Sequence, residues 1–135
     1  MGRGADGMGR VEKGMIIEIP FKTPSVNHMY GHTRYGGFYL KKEGKDLRQA
    51  IIQLCERYDT CELQSCRLNV TIEIHEDWRF KKGGVRRVDI ANREKFIVDS
   101  VFEGLGLDDK WIYELTLIKI QSEKEKTIIK INKLD

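Results

Sequence analysis

Residues 68–75 alternate strictly between apolar and polar side chains, and this pattern limits the fold more than any other in the 135-residue chain. The apolar members of the pattern are Leu68, Val70, Ile72 and Ile74. Successive side chains of a strand point to opposite faces of a sheet, so a period of two predicts a strand that buries one face. The rest of the chain must supply elements that cover this face.

Two amphipathic helices are predicted to provide that cover. Residues 43–58 and 90–105 place apolar side chains three and four positions apart, which is the helical spacing. The core-facing stripe of the second helix is expected to contain Phe96, Ile97, Ser100, Val101 and Leu105. Gly104 and Gly106 are expected to end this helix, because glycine suits the left-handed residue that follows a helix.

Other segments are predicted to complete a sheet around the central strand. The apolar segment 15–20 predicts a first strand, and residues 21–37 are interpreted as a long loop that leads to a short strand at 38–40. The two C-terminal strands, expected at 111–120 and 127–131, are joined as a hairpin by a charged turn. The fold class is therefore α/β or α+β, with a mixed β-sheet and two helices in the order β-α-β-α-β-β.

A single domain is expected over residues 15–135, because the length fits one domain and no internal repeat is visible. Residues 1–14 contain five glycines and no periodicity, so they are interpreted as a flexible arm or an expression remnant. No apolar run approaches the roughly 20 residues that cross a bilayer, and no signal segment is visible. A cytoplasmic protein with no membrane partner is expected, and its three cysteines are expected to stay reduced.

Acidic side chains stand at both ends of the second predicted helix. Asp89 precedes its first turn and the pair Asp108–Asp109 follows its last, while Asn92, Lys95 and Asp99 lie on one side between them. Carboxylates are the hard oxygen ligands that Mg²⁺ prefers, and lysine attracts phosphate. This combination predicts a site that cleaves a phosphodiester backbone with a metal ion.

The predicted helix is about 24 Å long, which separates the acids at its two ends. Asp109 can join Asp89 only if the chain after Gly106 doubles back along the helix, or if a neighbouring chain supplies the second acid. Purely structural roles are also open for these residues. Asp89 could cap the helix, Asp108–Asp109 could form a solvated turn, and Lys95 could form an ion pair with Asp99.

The segment 79–87 carries five cations in nine residues and no acid. The cations are Arg79, Lys81, Lys82, Arg86 and Arg87. They predict a surface that binds phosphate, with a solvated hairpin tip as the alternative, and cations at 41–48 could extend it. Trp78 or Phe80 could wedge between bases, although a place in the core is the preferred interpretation for Trp78.

The arrangement of these residues resembles the RusA family of Holliday junction resolvases, which are small homodimeric endonucleases, often encoded by prophages. The family motif is Asp-x-Asp-Asn-x-x-Lys-x-x-x-Asp, followed about ten residues later by Asp-Asp. The matching residues are Asp89, Asn92, Lys95, Asp99, Asp108 and Asp109, with Pro24, Ser25, Asn27 and Tyr30 in an upstream segment. The resemblance spans roughly residues 15–131.

The resemblance implies a role for each matching residue. Asp89 and Asp109 would bind the metal together with Asp108, and Lys95 would contact the scissile phosphate. Asn92 and Asp99 would support the site, and Asn27 would contact DNA with the cations of 79–87. The implied cofactor is Mg²⁺, with Mn²⁺ as a substitute. The implied partners are four-way DNA junctions and a second copy of the chain, with the acids near the dimer centre.

Position 91 departs from the family, because this chain has Ala91 where the motif has its second aspartate. A methyl group cannot bind a metal ion, so weak or absent cleavage is expected with the fold and the DNA surface retained. Three explanations stay open: a deliberate inactivating substitution, a natural variant that binds branched DNA without cutting it, or a nearby acid, Glu94 or Asp77, that takes the role. The main alternative function is a non-catalytic module that binds branched DNA.

Overall fold

A computed structural model describes residues 14–23, 30–36, 38–79, 83–84 and 90–134. Its strands are β1 (Gly14–Ile19), β2 (Tyr30–His32), β3 (Phe38–Leu40), β4 (Leu68–Glu76), β5 (Ile112–Gln121) and β6 (Lys126–Lys133). Its helices are α1 (Lys42–Cys55) and α2 (Ala91–Leu105). The predicted mixed sheet, the two helices and their order along the chain are confirmed. No helix in these ranges is long and apolar enough to cross a membrane.

The main sheet has the strand order β1-β6-β4-β5, and β4 lies inside it. β4 pairs antiparallel with β6 and parallel with β5. The predicted alternation along β4 is confirmed, because Leu68, Val70 and Ile72 are fully buried while the residues between them are partly exposed. The predicted apolar stripe of α2 is also buried in the same core.

The predicted hairpin between the two C-terminal strands is wrong. β5 and β6 follow each other in sequence, but β4 lies between them in the sheet. The link 122–125 crosses the end of β4, where the backbone N–H of Ser122 donates to the carbonyl of Glu76 at 2.9 Å. This insertion gives the alternating strand β4 a neighbour on each side, and the local turn signal contains no information about it.

The segment predicted as one long loop, 21–37, contains a strand. β2 pairs antiparallel with β3 in a separate two-stranded sheet. Gly36 has a φ of 87° in the turn between them, a conformation that glycine adopts without steric cost. Residues 24–29 and 37 lie outside the described part of the chain.

The two helices pack against each other, and Gly104 is the reason they can approach closely. A Cβ atom at Gly104 would lie 2.7 Å from both the carbonyl oxygen of Ile52 and the Cβ of Cys55. Gly104 is therefore an internal residue of α2, and the prediction that it ends the helix is wrong. Gly106 does end the helix, in the left-handed conformation with a φ of 69°.

Candidate active site

The residues that carry the predicted chemistry are divided between described and undescribed parts of the chain. Seven of these residues lie outside the described part of the chain: Asn27, Phe80, Lys81, Lys82, Arg86, Arg87 and Asp89. Helix α2 contains Ala91, Asn92, Lys95 and Asp99, and it is followed by Asp108 and Asp109. The geometry of the site is therefore built from α2 and the turn that follows it.

The chain reverses direction after α2, which is the path that brings Asp108 and Asp109 back along the helix. The N–H of Gly106 donates to the carbonyl of Glu103 at 3.1 Å, and the N–H of Leu107 donates to that of Phe102 at 3.0 Å. These bonds turn the backbone back along the helix. As a result, Asp99, Asp108 and Asp109 line one open cleft of about 460 Å³.

Glu94 belongs to this acidic group. Partial burial raises the pKa of the Glu94 carboxyl, and the charges of Asp99 and Asp109 raise it further, while Lys95 opposes them. The charges of Asp99 and Asp109, which are ten residues apart in the sequence, therefore both reach Glu94. The family motif does not mark Glu94; its position one helical turn after Ala91 is the signal that points to it.

Lys95 and Asp99 form the ion pair that their spacing predicts. The Nζ of Lys95 lies 3.0 Å from an oxygen of Asp99. Lys95 is exposed, whereas Asp99 is about three-quarters buried, so the ammonium is held at the mouth of the acidic group. A cation in this place can contact a phosphate.

Asp108 stabilises its own turn. Its Oδ1 accepts from the backbone N–H of Lys110 at 2.9 Å, and its other oxygen lies 3.8 Å from Nζ of Lys110. The next residue, Asp109, begins a short 3-10 turn that leads into β5. Of the two adjacent acids, Asp109 is the one whose charge reaches Glu94.

The donors in this group suit a hard divalent cation, because carboxylate oxygens are the ligands that Mg²⁺ prefers. The raised pKa of Glu94 reflects a carboxylate disfavoured by burial and by neighbouring negative charge, which a bound cation would favour. Within the described ranges, however, no three acidic, histidine or cysteine side chains are close enough to hold one ion. A complete site needs a further ligand, and Asp89 lies outside these ranges.

A buried ion pair joins the start of α2 to the end of β4. Arg93 and Glu76 are 4% and 1% exposed, and the Arg93 guanidinium donates twice to the Glu76 carboxylate, once through Nη1 and once through Nη2 at 3.4 Å. The guanidinium also lies 5.4 Å from the centre of the Trp78 ring. The pair links the two elements that precede and follow the basic segment in the sequence, and sequence reasoning missed it because charged residues at these positions are usually exposed.

Trp78 packs in the core, so the wedge interpretation is wrong for this residue. Its indole N–H lies 3.2 Å from the carbonyl of Ile74 and 3.0 Å from that of Ile120. The preceding residue, Asp77, accepts from the backbone N–H of Arg79 and from Gln121. Asp77 thus stabilises the turn after β4, which leaves Glu94 as the acid better placed to replace a carboxylate at position 91.

The expected extension of the basic surface into α1 is partly neutralised. Lys42 pairs with Asp46 at 2.8 Å, and Arg48 pairs with Glu103 across the two helices. Arg79 is exposed at the start of the basic segment. The cations that carry the DNA-binding prediction are therefore those of 79–87.

Comparison with known proteins agrees with this arrangement. The family model for the endodeoxyribonuclease RusA matches residues 20–132, which include both helices, the acidic group and three of the four strands of the main sheet, with β1 outside the match. No individual curated protein matches the chain. Enzymes of the matched family resolve Holliday junctions and typically depend on a divalent metal. This match over most of the chain shows that the protein belongs to the RusA endodeoxyribonuclease family.

Proposed function

We propose that this protein, with residues 15–135 as one domain, is a structure-selective endonuclease that binds four-way DNA junctions as a homodimer and cleaves them with Mg²⁺. The observation that carries the proposal is the cleft that Asp99, Asp108 and Asp109 line, with the Lys95 ammonium 3.0 Å from Asp99, in a chain of the RusA family. Carboxylates with a lysine ammonium beside them are groups that can serve phosphodiester hydrolysis. Membership of the family supports branched DNA as the substrate.

The proposed ligands of Mg²⁺ are Asp89, Asp108 and Asp109, and Glu94 is placed to join them. When bound, the ion would neutralise charge on the scissile phosphate and activate a water molecule. Lys95 would contact the same phosphate, and Asp99 would hold its ammonium in place through the 3.0 Å pair. Asn92, one turn before Lys95 and Phe96 along the helix, would support the site.

Ala91 is proposed to impair cleavage while DNA binding survives. It is the first residue of α2 and is exposed, one turn before Glu94 and Lys95. A carboxylate in this place would face the same side of the helix as those two residues. Alanine favours the helix but supplies no ligand. The chain with Ala91 is therefore expected to bind junctions and to cleave them only weakly.

Junction binding is expected to be strong at low salt and to weaken steeply as salt rises. If each of the five cations of 79–87 neutralises one phosphate, the affinity for DNA should fall by about two to three orders of magnitude between 50 and 200 mM salt. Gel shifts with a four-way junction and a linear duplex of equal length measure this. The double change Lys82→Ala and Arg86→Ala should flatten the salt dependence, whereas Lys133→Ala, an exposed cation on β6, should not.

Equal affinity for the junction and the duplex would contradict structure-selective binding. A response to salt that stays flat in the native sequence would contradict binding led by phosphates. Preference for the junction without cleavage at any Mg²⁺ concentration would favour the non-catalytic alternative. The three results are distinguishable in one series of gels.

Replacing Glu94 by glutamine is expected to stabilise the metal-free protein at neutral pH. The pKa of Glu94 is raised on folding, so its ionised form opposes folding, and this cost vanishes as pH falls below the unfolded pKa. The melting temperature of Glu94→Gln should therefore exceed that of the native sequence at pH 7 and equal it near pH 4. The exposed control Glu123→Gln should show no such pH-dependent gain.

The same pair of variants reports on the metal. Added Mg²⁺ should raise the melting temperature of the native protein, because a ligand that binds only the folded state stabilises it. The rise should be smaller in Glu94→Gln and unchanged in Glu123→Gln. Equal stabilisation of all three proteins would exclude Glu94 from the metal site.

A further inference from the structure

The segment that links α1 to β4 is bonded to the turn after α2. Within it, the 3-10 turn Cys61–Leu63 follows Thr60, which is 9% exposed. The hydroxyl of Thr60 donates to the carbonyl of Leu105 at 3.0 Å. The side-chain amide of Gln64 donates to the carbonyl of Gly106 at 3.0 Å and to the Thr60 hydroxyl at 3.2 Å. Two side chains of one segment therefore hold two successive carbonyls at the end of α2.

The helix itself cannot provide partners for these two carbonyls. The last carbonyls of a helix lack an N–H group further along it. At the end of α2, the backbone N–H groups of residues 106 and 107 occupy two earlier carbonyls. The carbonyls of Leu105 and Gly106 are bonded instead by Thr60 and Gln64. The end of α2 is thus capped in part by a segment that is distant in the sequence.

Gly106 sets the direction in which the chain leaves α2. Its φ of 69° is a conformation that glycine adopts and leaves freely, because no side chain restricts it. Packing does not restrict it either. Apart from its chain neighbours, no heavy atom of the described residues lies within 4 Å of the place that a Cβ would take. Hydrogen bonds therefore hold this conformation.

The bonds from Thr60 and Gln64 act on the two dihedral angles of Gly106. The Leu105 carbonyl belongs to the peptide plane before the Gly106 Cα, and the Gly106 carbonyl belongs to the plane after it. Because each peptide group is planar, holding both planes holds φ and ψ of the residue between them. Asp109 follows three residues later and lines the acidic cleft. The direction set at Gly106 therefore decides where its carboxylate lies.

We propose that Thr60 and Gln64 are positioning residues for the metal site, because they fix the turn that carries the Asp109 carboxylate into the cleft. This inference rests on the proposed function and adds to its site two residues that bind no metal themselves. Removing a group that holds a ligand in place typically lowers metal affinity or activity by about 10–100-fold. The larger effect is expected from the buried Thr60, because water can replace the amide of the exposed Gln64.

Metal affinity tests the proposal in the full chain. Thr60→Val removes the hydroxyl and keeps the shape of the side chain, so it should weaken Mn²⁺ binding at least about tenfold in calorimetric titrations. Thr60→Ser keeps the hydroxyl and should retain the native affinity. Gln64→Met, at an exposed position, should leave the fold intact and give a smaller loss.

Thr127→Val is the matched control. Thr127 is buried too, and its hydroxyl lies 3.2 Å from that of Thr23. It stands in register with Ile74 near the end of β4, whereas Thr60 precedes the start of β4. The control variant loses a buried hydroxyl, as Thr60→Val does, but it should bind Mn²⁺ with the native affinity.

Two further measurements separate positioning from folding. In metal-free Thr60→Val, hydrogen exchange should be faster at the Leu107 amide, which bonds to the Phe102 carbonyl, while the amides of β4 keep their native rates. In the Ala91→Asp chain, adding Thr60→Val should slow cleavage about tenfold at limiting Mg²⁺. The affinity for the junction should stay unchanged, and excess Mg²⁺ should restore part of the rate.

Native Mn²⁺ affinity in Thr60→Val, or a loss of affinity that Thr127→Val shares, would overturn the proposal. Faster exchange at Leu107 with native metal binding and native cleavage would overturn it as well, since the turn would then hold no ligand. A chain that binds no Mn²⁺, either in its native form or as Ala91→Asp, would refute the proposed function. Faster exchange at Leu107 in Thr60→Val would still show in that case that Thr60 holds the turn.

Discussion

Replacing Ala91 by aspartate should raise Mg²⁺-dependent cleavage of a synthetic four-way junction by at least about a hundredfold, which corresponds to about 2.7 kcal/mol or more of transition-state stabilisation. Residue 91 opens α2, and a carboxylate there would stand one turn before Glu94 and Lys95. It would restore the second aspartate of the family motif. Single-turnover cleavage of a labelled junction, with and without Mg²⁺, measures the gain.

The matched control is Ala91→Asn, which has nearly the same shape as aspartate but no charge. It should give no gain, because an amide is a poor replacement for a carboxylate beside a metal ion. Adding Asp109→Asn to Ala91→Asp should abolish the gain if both acids serve one site. An Ala91→Asp protein that binds no metal and nicks no junction would refute the catalytic assignment.

Cleavage by the native sequence would have a different meaning. It would show that another acid already replaces the missing aspartate, and Glu94 is the acid that shares the field of Asp99 and Asp109. Glu94→Gln should then abolish cleavage, while Asp77→Asn should not, since Asp77 is bonded within the turn after β4. The two substitutions separate the two acids considered for the role.

The sequence predicts which residues belong to the acidic group, but it does not predict how far apart they lie. Helical spacing alone indicates that Lys95 and Asp99 form a pair, because residues four apart on a helix are neighbours. Spacing does not reveal how the chain continues after Gly106, and so leaves the distance from Asp109 to the helix open. The left-handed conformation of Gly106 and its hydrogen bonds decide that distance in the folded protein.

Local sequence patterns could not predict the order of the strands in the main sheet. Each of the main-sheet strands β1, β4, β5 and β6 is predictable from its apolar residues, because alternation is a property of a single segment. Neighbours in a sheet are chosen by burial over the whole domain, and β4 gains most from an inner position because its apolar face is the longest. A turn as short as 122–125 is normally a hairpin signal, and here it bridges two strands that do not touch.

The burial of charged residues in helices and strands was also not predicted from the sequence. The Arg93–Glu76 pair shows the physical cause. Arg93 stands in a segment rich in Lys, Glu and Asp, where charged side chains usually face solvent. Its burial depends on Glu76, seventeen residues earlier on another element. Only the folded chain brings the two together, so neither residue carries a local sign of being buried.

Removing one partner of this pair should be among the most destabilising single changes in the protein. Glu76→Ala would leave the buried Arg93 guanidinium without its carboxylate, and Arg93→Met would leave the buried Glu76 with only Lys22, 4.0 Å away and partly exposed. The cost should be about 3–5 kcal/mol in the free energy of unfolding for Glu76→Ala and less for Arg93→Met. Urea unfolding measures the loss. The exposed pair provides the control, because Asp99→Ala should cost under about 1 kcal/mol.

A double variant distinguishes a buried charge from a general loss of packing. Glu76→Met combined with Arg93→Met removes both charges and keeps apolar volume, so it should recover a large part of the stability lost by either single change. Losses that simply add would show that packing, rather than the uncompensated charge, is responsible. Because the pair holds the start of α2 against the end of β4, the single variants should also weaken junction binding, and the double variant should restore it in proportion to its stability.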